Sequence, residues 1–360
     1  MAPGKVMENR DYSIDCVKVL AVIFVIVHHV VDCGLTMLDT ASGILKMIWY
    51  FLHSVSLTCV DLFALVTGYL CVTSNGAHKR LLGLWGQVLF IGIAISSAIV
   101  LAGGGISSTD WIRSFFPVIT GEYWYFTAYV IVCLFMPFVN HGARTLDGRS
   151  FARLLLAFFL LLSVSSLFTT NDPFVLKKGY SFAWLLVVYL FGAYWRIHVT
   201  KPPSLITCLI IIIVFSFSFL IPSVGKRIFS GELGVWLGNV NPIRYTSPFT
   251  LVMSLAVFGI CKHIDLKSLW GRRMLVSVSR KSLGMYLWLV HPVFWHSIWR
   301  PRLRAIGIGS LCEFIVYVPL ITLCSFTSAW LLESARECVF SSVSKMWGKS
   351  NQTTGQRVKS

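Results

Sequence analysis

Charge is scarce in this chain: 13% of its 360 residues are Asp, Glu, Lys or Arg, and the acidic ones number 15. A soluble domain of average usage is about a quarter charged. The chain therefore lacks the polar surface that a water-facing globule of this size needs, which excludes an ordinary cytosolic enzyme and a disordered scaffold. No Cys-x-x-Cys pair occurs among the ten cysteines, which lie scattered and mostly within apolar runs. Their placement excludes a disulfide-framed module and gives no thiolate metal site; they read as small apolar residues. No small-residue cleavage site follows the first apolar run, so that run is expected to be an uncleaved span rather than a removable leader. Internal repeats and low-complexity tracts are also missing.

What is abundant is apolar. Hydrophobic residues make up 56% of the chain, and the mean hydropathy is +0.74. Apolar runs of about 18–25 residues read as membrane-spanning helices. They fall near 13–31, 45–73, 82–103, 121–140, 151–170, 180–198, 204–222, 245–262, 279–299 and 308–333. The expected fold is all-α, a polytopic membrane protein of about ten helices. One membrane domain covers 1–333, and 334–360 form a short polar tail. The cations, 31 against 15 anions, sit in short clusters between the runs. Orientation in a bilayer produces that pattern, so the lipid bilayer rather than nucleic acid is the expected partner. With the N-terminus inside, 20 Lys and Arg fall in inner segments and 10 in outer ones. Both termini are therefore expected in the cytoplasm.

Ionisable groups inside a span are costly and face the bundle interior. The first span carries Asp15, Lys18, His28 and His29. Lys18 and His29 are eleven residues apart, so they share one helix face about 16 Å apart along the axis. Asp15 lies on the same stripe, whereas His28 is rotated about 80° away from it. One reading makes His29 a general base beside a fixed cation, since imidazole titrates near working pH and suits proton abstraction from a sugar hydroxyl. The other has Lys18 reaching for the interface and His29 bonding a neighbouring helix. Helical phase leaves both open.

The run Ile14-Asp15-x-x-Lys18-x-x-Ala21 followed by His29 resembles the opening signature of the acyltransferase-3 membrane family, an Arg or Lys, ten residues, then His. Three further stretches are similar to that family in order along the chain. They are Val60-Asp61-Leu62-Phe63 through Thr67-Gly68-Tyr69, Glu122-Tyr123-Trp124-Tyr125-Phe126 with Pro137, and Ser282-Leu283-Gly284-Met285-Tyr286-Leu287 with His291-Pro292. Departures accompany the likeness. Lys18 replaces the commoner Arg, which loses the bidentate fork but keeps the charge. Thr67 stands for Ser, Glu122 for a frequent His, and His291 follows Tyr286 by five residues where three is usual.

The resemblance implies transfer of an acyl group, usually acetyl from acetyl-CoA, to a hydroxyl of an envelope glycan or its lipid-linked precursor. It also implies a multi-pass location in a bacterial plasma membrane and no permanently bound cofactor. His29, Lys18, Glu122 and His291 are the implied catalytic set, with Thr67 and Trp124 toward the substrate. Lys79 and Arg80 suit the phosphates of acyl-CoA, although positive-inside topology alone also accounts for them. The longest outer connection, about 223–244, mixes Trp236 with Asn, Lys and Arg, a composition that suits a glycan. It is expected to bind the acceptor, with a short helix over the bundle mouth. The alternative function is a transporter or flippase for a glycan or small anion; matched halves with broken helices would favour it, and none is seen. No room for an appended transferase domain is expected after residue 334.

Overall fold

The protein's structure, a computed structural model, describes residues 10–34, 43–74, 81–169, 171–308 and 310–357, with side chains to residue 342. Among the described residues there is no β-strand. The helices are α1 (Tyr12–Gly34), α2 (Gly43–Ser56), α3 (Thr58–Cys71), α4 (Leu81–Leu101), α5 (Ser108–Phe115), α6 (Trp124–Thr145) and α7 (Gly148–Phe158). Then come α8 (Phe182–His198), α9 (Leu205–Ser216), α10 (Ile221–Ile228), α11 (Gly231–Gly238), α12 (Pro248–Lys262) and α13 (Leu269–Leu289). A winding stretch over 292–299 leads into α14 (Arg300–Ile306) and the long α15 (Leu311–Arg357). Among the described residues, seven helical stretches are long and apolar enough to cross a membrane, while Phe182–His198 and Pro248–Lys262 are apolar but shorter. Backbone groups in hydrocarbon must bond within their own segment, which is why apolar runs this long fold as helices.

The run expected at 279–299 takes a different form. Its helix begins at Leu269 and stops at Leu289, and His291-Pro292 starts a new turn. A residue before proline is disfavoured in the α region, so the chain breaks there. The charged first turns of α13 hide its true start from a hydropathy reading. Arg272 is one reason they are tolerated: its guanidinium lies over the Tyr12 ring at 5.0 Å and its Nε donates to the Leu266 carbonyl. The polar tail continues α15 as one helix to Arg357.

α3 is the axis of the bundle, packed on α1, α8 and α12. Its crossing with α8 is made by glycine. A Cβ on Gly68 would sit 1.9 Å from the Tyr189 carbonyl oxygen, and one on Gly192 would sit 2.1 Å from that of Leu65. Small residues allow this backbone approach, the usual device where lipid gives no hydrophobic drive between helices. Polar groups tie the same helices together. Trp184 Nε1 donates to the fully buried Asp61 at 3.0 Å, and Asn140 donates to the Cys71 carbonyl at 2.9 Å while accepting from Tyr189. Gly284 of the Ser-x-Gly-x-Tyr stretch makes room for another buried carboxylate: a Cβ there would sit 2.1 Å from the carboxyl carbon of Glu333. Glu333 is itself held by Arg336 and by Gln87 of α4.

Before α1 the chain is anchored by charge. Arg10 forms a two-pronged pair with Asp15 at 2.6 and 2.7 Å, and Ser279 of α13 donates to the same carboxylate. Asp11 receives Lys262 at 2.6 Å and Tyr69 at 3.2 Å. Burial pushes the Asp11 carboxyl up, but hydrogen bonds from Lys262, Ser13 and Tyr69 outweigh it and hold it below the usual carboxylate range. A carboxylate with a depressed pKa stabilises the fold above its unfolded value near 3.9, and the contribution fades as pH falls through the folded value. Asp11→Asn should therefore lower thermal stability at pH 7, and the gap from wild type should close below about pH 4. Thermal melts across pH 3–7 measure this; a gap that stays constant would show that the ionised pair adds no stability.

Candidate functional site

A cavity of about 890 Å³ runs inside the bundle. On α1 its wall extends from Lys18 to Asp32, about 21 Å at the helical rise. The hydrocarbon core of a bilayer is about 30 Å thick, so the cavity follows most of a membrane crossing. Its two ends differ in chemistry. Lys18, Ser74, Ser279 and Arg280 line one end. His28, His29, Asp32, Trp124, Tyr245 and Arg300 line the other. The middle is walled by Phe63, Thr67, Tyr125 and Tyr286 among others.

Lys18 and His29, which share a face of α1, both line the cavity. His29 Nδ1 lies 2.7 Å from the Val25 carbonyl one turn back. A carbonyl only accepts, so Nδ1 carries the proton and the neutral ring keeps its lone pair on Nε2. Trp295 packs edge-on against this ring, centroids 4.7 Å apart. His28 reaches the same cavity despite its offset. Its ring stacks on His53 at 5.1 Å, and its Nε2 is 3.4 Å from the Tyr245 hydroxyl.

The aromatic wall is richer than the spacing of the sequence suggests. Trp124 meets Tyr180 at 4.5 Å and Tyr245 at 6.1 Å. Neither tyrosine belongs to a long apolar helix. Tyr180 is placed by a left-handed turn at Val175, Lys177, Lys178 and Gly179. A β-branched residue at φ 52° is strained, and such strain persists only where surrounding bonds fix it. Here the Asp172 carboxylate accepts from the backbone N–H groups of Leu176 and Lys177. Gly179 has φ 104°, and a Cβ there would sit 2.4 Å from Cβ of Tyr245. The turn and the tyrosine thus fix each other, a pairing across 66 positions that no local pattern reveals.

Thr67 is on the cavity wall, its hydroxyl donating back to the Phe63 carbonyl at 2.7 Å. Glu122 also lines the cavity, but its ion partner is Arg113 at 3.9 Å, and among the described residues no imidazole is bonded to it. Half-burial pushes this carboxyl up, with Arg113 pulling the other way. An amide can still accept from Arg113, so Glu122→Gln should reduce turnover by less than about tenfold. A loss above a hundredfold would put the carboxylate in the chemistry.

Two expected residues do not reach the cavity wall. His291 is 1% exposed, accepts from the Phe294 N–H at 3.5 Å as a helix cap, and faces Tyr123 at 6.0 Å. The break before Pro292 turns it into the bundle instead. Trp236 lies on Phe168, ring centroids 4.2 Å apart and nearly parallel, and is 46% exposed. The connection that carries it does form short helices, α10 and α11, and Tyr245, the residue that follows it, lines the cavity. Lys79 and Arg80 lie outside the described residues.

A helical bundle with apolar membrane-length helices and a cavity along a membrane crossing, Lys18 and Arg280 at one end and His28, His29 and Arg300 at the other, defines a multi-pass membrane protein. A family model described as an acyltransferase domain matches residues 11–332, and the chain belongs to that acyltransferase-3 family. Comparison with curated proteins and with solved structures returns no match.

Proposed function

We propose that this chain is a membrane-embedded O-acetyltransferase that passes acetyl from acetyl-CoA to a hydroxyl of a surface polysaccharide or its lipid-linked precursor. The observation that supports it best is the polarity of the cavity, with Lys18 and Arg280 at one end and His29 among aromatic rings at the other. Cations suit the phosphates of CoA, and Trp124, Tyr180 and Tyr245 suit the flat face of a sugar ring. Lys79 and Arg80, in the segment between α3 and α4, are further candidates for those phosphates. With ten crossings, the two-to-one excess of cations on one side supports a cytoplasmic Lys18 end and both termini inside. A bacterial plasma membrane fits this arrangement.

In the proposed reaction, Nε2 of His29 takes the proton of the acceptor hydroxyl as its oxygen attacks the thioester carbonyl. The C–S bond then breaks and the imidazolium returns the proton to the CoA thiolate. One acetyl moves, no electrons are exchanged, and the histidine is restored. Lys18 holds the donor rather than touching the reacting atoms. Lys18→Arg should keep most activity, while Lys18→Ala should raise the KM for acetyl-CoA about tenfold or more. A flippase would need the same kind of cavity but would leave no acetyl behind. The test is the acetyl content of surface glycans from cells with and without the protein. Loss of O-acetyl groups in its absence is expected; unchanged acetylation with altered glycan export would favour the flippase.

A further inference from the structure

The winding stretch after α13 forms one wall of the chamber at the His29 end. Its π turn, Trp295–Trp299, sets Trp295 against the His29 ring and brings His296 and Arg300 to the same wall. π turns interrupt helices mostly where a function re-aims side chains. Arg300 follows Trp295 by five residues, about 7.5 Å along a helix axis, so its guanidinium belongs to the part of the chamber next to the base. It is half-buried, and among the described residues it forms no ion pair or hydrogen bond. The nearby carboxylates do not neutralise it. Glu122 faces Arg113, and Asp32, on the same wall, is not within ion-pair distance of Arg300. Arg304 adds a second charge one turn on. Cations held on the side opposite the positive-inside excess are not explained by topology, and an unpaired guanidinium in a chamber wall is a waiting partner for an anion.

We propose that Arg300 is a specificity residue that binds an anionic group of the acceptor, a carboxylate or a phosphate, and so fixes which hydroxyl meets His29. This rests on the acetyltransferase reading above and narrows it to an acidic acceptor. The anion has two sources, a uronate-type carboxylate on the sugar itself or the phosphate of a lipid carrier. The planar guanidinium fork grips either one through two parallel hydrogen bonds, which a lysine cannot reproduce.

The experiment uses the full chain in lipid nanodiscs and reads thermal stability with methyl glucuronide, a polyprenyl monophosphate or neutral methyl glucoside added. At least one anion should raise the melting temperature of wild type, the neutral sugar should not, and Arg300→Gln should lose the shift. A response to the glucuronide assigns the sugar carboxylate; a response to the polyprenyl phosphate assigns the carrier. Absence of any anion effect on wild type, or an equal effect on Arg300→Gln, overturns the proposal. In parallel, labelled acetyl-CoA is supplied with unacetylated glycan extracted from cells lacking the protein. Arg300→Gln should raise the KM for glycan about tenfold or more with kcat within about twofold, and Arg300→Lys should recover part of the loss. If wild type transfers no acetyl, the acetyltransferase reading fails; if it transfers acetyl and Arg300→Gln keeps the wild-type KM, only the anion assignment fails.

Discussion

His29→Ala should abolish acetyl transfer, by about 10²–10⁴-fold, the range a positioned general base contributes, while the protein still inserts and folds. His28→Phe, which keeps the flat ring against His53, should stay within about tenfold of wild type. The asymmetry follows from hydrogen bonding rather than from exposure, since both rings line the cavity. Val25 locks the His29 proton on Nδ1 and leaves Nε2 with the lone pair that the proposed base needs. Among the described residues no backbone carbonyl does this for His28, whose contact is the Tyr245 hydroxyl at 3.4 Å. Turnover of the two variants, each checked for folded yield in detergent, measures the difference. The opposite order of effects would move the base to His28 and detach the ten-residue spacing from its chemistry.

The second large effect lies at the α3–α8 crossing, beside the chamber wall that α3 supplies. Gly192→Ala and Gly68→Ala each place a methyl group within about 2 Å of a backbone carbonyl oxygen across the α3–α8 crossing. Backbone cannot rotate away as a side chain can, so the helices must separate. Overpacking costs about 1–3 kcal/mol where side chains can adjust, and these two sites should exceed that. Folded yield and melting temperature should fall sharply for either variant, and the pair together should yield little folded protein. Gly86 of α4 has open space around it, so Gly86→Ala should be neutral. Equal tolerance at all three positions would mean that the crossing is looser than described.

Much of this architecture is legible in the amino-acid sequence alone. Long apolar runs dictate helices because hydrocarbon offers no other partner for backbone groups, and the phase of Lys18 and His29 follows from 3.6 residues per turn. The family motifs also lie where their residue types suggest. Gly68 closes the α3–α8 crossing, Gly284 admits Glu333, and Tyr286 lines the chamber. What stays hidden depends on irregular backbone or on contacts between distant segments. Tyr180 is delivered by a strained turn that carries no periodic signal, and Tyr245 follows a connection whose most conspicuous residue, Trp236, packs elsewhere. Composition points to Trp236 because it counts aromatic rings without knowing which way they face. His291 sits in a plausible motif, yet the proline after it breaks the helix and turns the ring inward. Arg300 reads in sequence as one more loop cation; only the π turn before it aims it at the chamber.

In the proposed reaction acetyl enters at the Lys18 end and leaves on an acceptor at the His29 end. Sealed inside-out membrane vesicles probe that path, because labelled acetyl-CoA added outside reaches only the cytoplasmic face. The expected result is label covalently bound to glycan inside the vesicles, present with wild type and absent with His29→Ala. Glycan labelled only on the outer surface of the vesicles, or labelled equally by the His29→Ala protein, would contradict it.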